Sequence, residues 1–123
     1  MPEEGTAETR TLLDRVIEDG ALVPIHWSLE VGNALLIALR GRSISTEKRR
    51  DALAQLVNLQ ITIDRQTLDE AWGTTLALAD RFRLTLYDAC YLELAQRRGL
   101  PLASLDQDLR KAARALDIPL LGV

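Results

Sequence analysis

Glu30, Asp88 and Asp106 are the side chains of this sequence best placed to do chemistry, because the other usual candidates are scarce. The chain has one histidine, His26, and one cysteine, Cys90. A single histidine excludes His-pair metal motifs and allows Ser-His or Cys-His catalysis only through that residue. A single cysteine excludes an internal disulfide and zinc-type Cys clusters. Chemistry then falls to carboxylates. Glu30 opens an apolar helical stretch, Asp88 sits in the first turn of another helix, and Asp106 ends a short apolar strand, with Asp108 two residues further on as a fourth candidate. In a parallel α/β sheet all of these stand at the carboxyl ends of strands, where such folds gather functional groups. Carboxylates brought together with no cationic partner repel one another. A hard divalent cation, Mg²⁺ or Mn²⁺, removes that repulsion. Mg²⁺ keeps several waters and leaves room for a substrate phosphate, and it stabilises the charge of an in-line displacement. The pattern points to phosphodiester hydrolysis rather than acyl transfer.

Each acid also has a plain structural role open to it. Thr85 followed three residues later by Asp88 resembles a capping box, and Asp106 is a preferred N-cap residue type. Asp69 and Glu70 read as solvated first-turn acids, and Glu8, Asp14 and Glu18 as an exposed face. Glu30 is harder to dismiss. It lies within Trp27-Ser28-Leu29-Glu30-Val31-Gly32-Asn33-Ala34-Leu35, where a buried charge costs several kcal/mol unless paired or metal-bound. Asn33 shares its helical face one turn later.

The elements that must position these residues follow from punctuation and periodicity. Leu12, Leu13, Val16 and Ile17 form one helical face stopped by Gly20. Ala21–Pro24 reads as a short strand. Leu29 to Leu39 is apolar nearly all round and predicts a buried helix ended by Gly41. Ser45 caps a helix through Val57, and Leu59, Ile61 and Ile63 alternate as a strand. Thr67-Leu68-Asp69-Glu70 reads as a capping box opening one helix through Trp72, Leu76, Ala79 and Phe82. Thr85 opens the next helix, which ends before Gly99. Leu100 to Leu105 suits a strand, Asp106 caps a helix to about Leu116, and the segment from Pro119 to Val123 suits a terminal edge strand. The order α-β-α-α-β-α-α-β-α-β predicts an α/β fold, a parallel sheet covered on both faces. Gly32 and Gly73 fall inside helical patterns and suggest close packing; Trp27 and Trp72 read as core or interface residues before base-stacking platforms.

At 123 residues, 47% hydrophobic and 27% charged, the chain suits one domain, and no apolar run approaches the roughly 20 residues of a membrane span. Met1-Pro2-Glu3-Glu4 lacks the basic start and apolar stretch of a signal peptide. The net charge of −3 gives no basic footprint for nucleic acid. The cations are nonetheless lopsided, with thirteen arginines against the lysines Lys48 and Lys111, a bias that suits phosphate but that a GC-rich genome would also produce. The seven glycines are scattered, so no Gly-rich phosphate-binding loop is present.

Three stretches resemble the PIN-domain ribonucleases, specifically the VapC-type toxins of bacterial toxin–antitoxin pairs. They are Pro24 to Leu35, then Leu84-Thr85-Leu86-Tyr87-Asp88-Ala89-Cys90-Tyr91-Leu92-Glu93-Leu94-Ala95, then Pro101 to Asp106. The second, with Tyr87-Asp88-Ala89 and Tyr91 before Leu94-Ala95, is the most specific, and the likeness covers essentially the whole chain. It implies a PIN-like three-layer α/β/α sandwich over residues 1–123 and a Mg²⁺-dependent (or Mn²⁺-dependent) endoribonuclease. It further implies an RNA substrate, inhibition by a cognate antitoxin, a homodimer and a cytoplasmic location with no membrane partner. By this resemblance Glu30, Asp88 and Asp106 correspond to metal-binding catalytic acids, Asp108 is an auxiliary metal ligand, and Asn33, Thr85 and Ser104 shape the site. Arg40, Arg42, Arg49, Arg50, Arg97 and Arg98 could contact RNA phosphates, against a simple reading as solvated surface.

The likeness breaks at the beginning. The family opens with an apolar strand ending in an aspartate, and Met1-Pro2-Glu3-Glu4-Gly5 supplies neither. The resemblance therefore implies that the first strand and one acid are missing, leaving unpaired backbone groups in the middle of the sheet. A catalytically impaired PIN-like module that still dimerises or binds an antitoxin is the competing reading, and a nucleotide-binding α/β domain a poorer one.

Overall fold

A computed structural model describes residues 20–121. The expected helix around Leu12 to Ile17 and the start of the chain, where the first strand and one acid are expected to be missing, lie outside them. In chain order the elements are β1 (Ala21–Pro24), α1 (Trp27–Arg40), α2 (Thr46–Val57), β2 (Ile61–Asp64), α3 (Thr67–Glu70), α4 (Thr74–Phe82), α5 (Leu86–Arg98), β3 (Leu102–Ala103), α6 (Gln107–Ala115) and β4 (Leu120–Leu121). The α/β class is as expected, and every strand pairing is parallel. β1 pairs with β2 from Ala21↔Ile61 to Pro24↔Asp64, and β3 pairs with β4 through Leu102↔Leu120 and Ala103↔Leu121. Among the described residues these are two separate two-stranded ladders.

Helix α5 joins them. It packs against β1 on one side and β3 on the other, and also against α4 and α6. Ala89, Leu92 and Ala95, three residues apart and therefore on one helical face, meet Leu78 and Ala79 of α4, Leu102 of β3, and Leu109, Ala112 and Ala113 of α6 in one core. Local chemistry fixes where α5 starts and stops. The Thr85 hydroxyl accepts from the Asp88 N–H at 3.1 Å, and Gly99 at φ 63° closes the C-terminus, its N–H donating to Ala95 and Gln96 carbonyls. Asp106 caps α6 as its residue type predicts, accepting from the Leu109 N–H at 3.0 Å.

Four sequence expectations need correction. Helix α1, read as buried because it is apolar nearly all round, has no buried residue; Leu29 is 77% and Ile37 61% exposed. Hydrophobicity says that such a helix wants a cover, not that its own fold provides one. The capping box at Thr67 does not open one long helix. Thr67 is buried, and its hydroxyl donates to the Asp64 carbonyl at 2.8 Å and carboxylate at 2.9 Å instead of capping, and the helical path breaks between α3 and α4 around Gly73. Trp72 stands at that break, 89% exposed, so it is no core residue. The glycines were also misread: a Cβ on Gly32 would meet nothing within 4 Å, so it permits no close approach, and Gly73 lies outside either helix.

A buried ion cluster ties β2 to α5. Asp64 ends β2 at 5% exposure, and Glu93 in α5 is 2% exposed. Arg97, read above as a possible RNA contact, spans both: its guanidinium donates to Glu93 Oε2 at 2.7 Å and Oε1 at 3.1 Å, and to Asp64 Oδ2 at 2.6 Å and Oδ1 at 3.3 Å. The guanidinium, then the Thr67 hydroxyl, hold the Asp64 carboxyl below the ordinary carboxylate range against the opposing effect of burial. Such a carboxylate adds stability above its unfolded-state pKa, and that contribution is lost as pH falls through its lowered folded value. Removing the bridge strands two buried negative charges. Arg97→Ala should therefore cost about 3–5 kcal/mol of unfolding free energy in urea titrations at pH 7, and its deficit should narrow in strong acid, where the carboxylates of both proteins are protonated.

Candidate functional site

Asp88 and Asp106 come together at two helix N-termini. Asp88 is in the first turn of α5 and Asp106 immediately precedes α6. With Tyr91, Leu102, Ala103, Ser104 and Leu109 they line a cleft of ≈ 250 Å³. The Ser104 hydroxyl accepts from the Asp106 N–H at 3.1 Å, and the Arg110 guanidinium donates to the Ser104 carbonyl at 2.6 Å, so the turn carrying Asp106 is held from two directions. One Asp106 oxygen serves as the cap of α6. The capping and the acidic roles weighed in the sequence therefore coexist.

Glu30 reaches the same neighbourhood from α1. The Tyr91 hydroxyl donates to Glu30 Oε1, and His26 Nε2 lies 3.5 Å from that oxygen. The same Nε2 donates to the Tyr87 carbonyl at 3.1 Å, which places the ring proton on that nitrogen. Glu30 itself is 41% exposed, so the argument that a charge there must be buried is overturned. Its place beside α5 rests on a hydrogen bond instead.

Electrostatics records the convergence. The Asp88 carboxyl is raised above its ordinary value, first by burial and next by the negative charge of Asp106, with Glu30 acting in the same sense; Thr85 and His26 oppose. Burial likewise lifts the Cys90 thiol to about 11, leaving it an inert buried fold residue. Of the supporting residues, Thr85 caps α5 and Ser104 holds Asp106, whereas Asn33 and Asp108 are exposed with no side-chain hydrogen bond among the described residues.

A family model, the PIN domain, matches residues 2–115. The chain belongs to the PIN-domain family. PIN domains are generally nucleases, so nuclease chemistry is the activity class of this chain. No curated protein matches it. Among the described residues no helix is long and apolar enough to cross a membrane.

PIN domains usually use divalent metals, and the donor set here can be tested against such an ion. The cleft offers the carboxylates of Asp88 and Asp106, whose like charge adds to burial in raising the Asp88 carboxyl, with no thiolate or imidazole lining it. That is the donor chemistry of a hard cation. Among the described residues no group of three acids, histidines or cysteines is placed to hold a metal ion together, so the expected trio of Glu30, Asp88 and Asp106 does not close on one point; Mg²⁺, which binds through one or two carboxylates and keeps its waters, does not require a third.

Sequence reasoning missed Tyr91 and His26 as site residues and the Asp64–Glu93–Arg97 cluster altogether. Helical spacing carried a signal for the first two: Tyr91 is three residues after Asp88, and His26 four before Glu30, so each shares a face with an acid.

Because Asp88 is ionised at a cost in the folded protein, neutralising it should stabilise. A raised acid penalises the folded state as pH rises through its pKa. Asp88→Asn should therefore melt above wild type at pH 7 by scanning calorimetry, with the gain vanishing as pH is lowered through the carboxylate range. Asp106 allows its two roles to be separated. Asp106→Asn keeps the N-cap and should hold stability near wild type, while Asp106→Ala should lose about 1 kcal/mol; both should lose divalent-cation binding by calorimetric titration.

Proposed function

We propose that this PIN domain is a Mg²⁺-dependent endoribonuclease of the VapC toxin type, hydrolysing RNA phosphodiester bonds in the cytoplasm and silenced by a cognate antitoxin, with a homodimer as its working form. The observation that carries the nuclease reading is the shared cleft of Asp88 and Asp106, with Glu30 close enough to raise the Asp88 carboxyl. In this reading Asp88 and Asp106 hold the cation, Glu30 contributes from α1, and Asp108, two residues after Asp106 in the first turn of α6, is an auxiliary. Thr85 and Ser104 keep the two principal acids in place, and Asn33 stands on the α1 face of Glu30. Mn²⁺ could substitute, since the donors are all oxygen. When bound, the ion supplies an activated water and neutralises charge developing on the scissile phosphate. The protein's own part is to fix the acids on helix N-termini, whose dipoles also favour an approaching phosphate. The exposed arginines Arg40, Arg42, Arg50 and Arg98 remain available to the RNA backbone, while Arg97 is committed to Asp64 and Glu93.

The antitoxin and dimer are supported by the apolar exposure of α1 and α2, where Leu29, Ile37, Leu53 and Val57 lie open. A second reading, an impaired PIN-like module that keeps only its partner contacts, is favoured by the division of the strands into two ladders. Cleavage separates the two. The purified chain with Mg²⁺ should cut a mixed RNA substrate in gel assays, EDTA should abolish the cutting, and Asp88→Asn should reduce it at least about a hundredfold. RNA left intact by pure, folded protein across Mg²⁺ and Mn²⁺ concentrations would leave the partner-binding module as the surviving reading.

A further inference from the structure

We infer that Tyr91 is a positioning residue whose hydroxyl holds the Glu30 carboxylate, and with it the start of α1, at the edge of the Asp88–Asp106 cleft. This rests on the metal-site reading above and goes one step beyond it, from the acids to the group that aims one of them.

Three observations converge on Tyr91. Its ring lines the cleft beside Asp88, its hydroxyl donates to Glu30 Oε1, and the edge of the His26 ring packs on its own ring with centroids 5.6 Å apart. Helix α1 supplies the need for such a tie. None of its residues is buried, so packing does little to fix its rotation or its distance from α5. Glu30 is a long side chain, 41% exposed, and without a partner its carboxylate would sample several rotamers in water. The hydrogen bond restricts that freedom from the rigid side: Tyr91 belongs to α5, whose Leu92, next in sequence, is fully buried in the core.

The phenol is suited to a fixed donor role. Burial, then the Glu30 carboxylate, raises its pKa well above the ordinary tyrosine value, so the proton stays on the hydroxyl throughout the working pH range. One Glu30 oxygen is thereby occupied and the other has no hydrogen-bond partner among the described residues. His26 backs the arrangement by fixing the turn before α1 to the Tyr87 carbonyl at 3.1 Å.

The test uses the full chain with Mn²⁺ or Mg²⁺ as the probe. In isothermal titration, Tyr91→Phe should weaken Mn²⁺ binding about tenfold, the loss expected when the partner orienting a metal-binding carboxylate is removed. Adding Tyr91→Phe to Glu30→Ala should weaken it no further. In cleavage assays kcat should fall while KM for RNA stays within about twofold, because the hydroxyl acts through Glu30 and not on the substrate. A purely structural tyrosine would instead lower the thermal midpoint and leave the affinity of the folded protein unchanged.

A second measurement does not depend on the variant folding. The chain has two tyrosines, so 3-fluorotyrosine labelling gives two ¹⁹F signals, assigned with Tyr87→Phe. The Tyr91 signal should shift and saturate with Mg²⁺. Unchanged Mn²⁺ affinity in folded Tyr91→Phe, a further loss in the Glu30→Ala background, or a Tyr91 signal indifferent to bound Mg²⁺ each overturns the inference while the metal site stands. Wild-type protein that takes up neither ion overturns the metal site itself, and the positioning role with it.

Discussion

The guanidinium of Arg97 is the contact on which the positioning of the site depends. It is the shared partner of two carboxylates that the fold has taken out of water, one ending β2 and one in the middle of α5. Neither acid could stay ionised there alone, and neither lines the cleft of Asp88 and Asp106. What the bridge secures is the seat of α5 against the β1–β2 ladder. The core-facing side of α5 is seated by ordinary packing of Ala89, Leu92 and Ala95. With both faces fixed, the first turn of α5 has only one direction in which to present Asp88 and Tyr91. A buried triad of this kind is not evidence of high stability, since desolvation consumes much of the Coulombic gain. It is evidence of a single register between β2 and α5, because a slip by one residue leaves three charges unpaired.

The acids of the cleft are placed by a different device. Asp106 precedes α6 as its cap, and Asp88 lies in the first turn of α5, where Thr85 binds its backbone N–H. Helix N-termini need oxygen acceptors and tolerate negative charge, so the local requirement of each helix is met by the residues that the chemistry needs. What is unfavourable is the burial of Asp88 and, after it, the negative charge of Asp106, and together they raise the Asp88 carboxyl. An asparagine would cap as well at Asp106, so capping alone does not call for an acid there.

Much of this was legible from the residues alone, for reasons that differ by element. Caps are local, so Ser45, Thr85 and Asp106 announced α2, α5 and α6 correctly; parallel pairing followed from helices separating the strands. The errors came wherever a residue's partner was remote in sequence. Thr67 had the spacing of a capping box, but Asp64 captured its hydroxyl. Arg97 looked like surface because its partner Asp64 is 33 residues away. Glu30 was singled out for a sound-looking reason that proved wrong, as burial does not constrain it, while a tyrosine 61 residues later does. Periodicity reports which face of a helix is apolar and is silent about which other element will cover it.

Helix α1 shows the consequence of that silence most fully. Its apolar composition would be a liability on an isolated surface, and its attachment to α5 runs through polar groups at one end, His26 with Tyr87 and Glu30 with Tyr91. Along the rest of its length none of its residues is buried, and Leu29 and Ile37 stand open. Its first turn is therefore set by partners on α5, and α5 is itself held by the Arg97 bridge and by the core around Leu92.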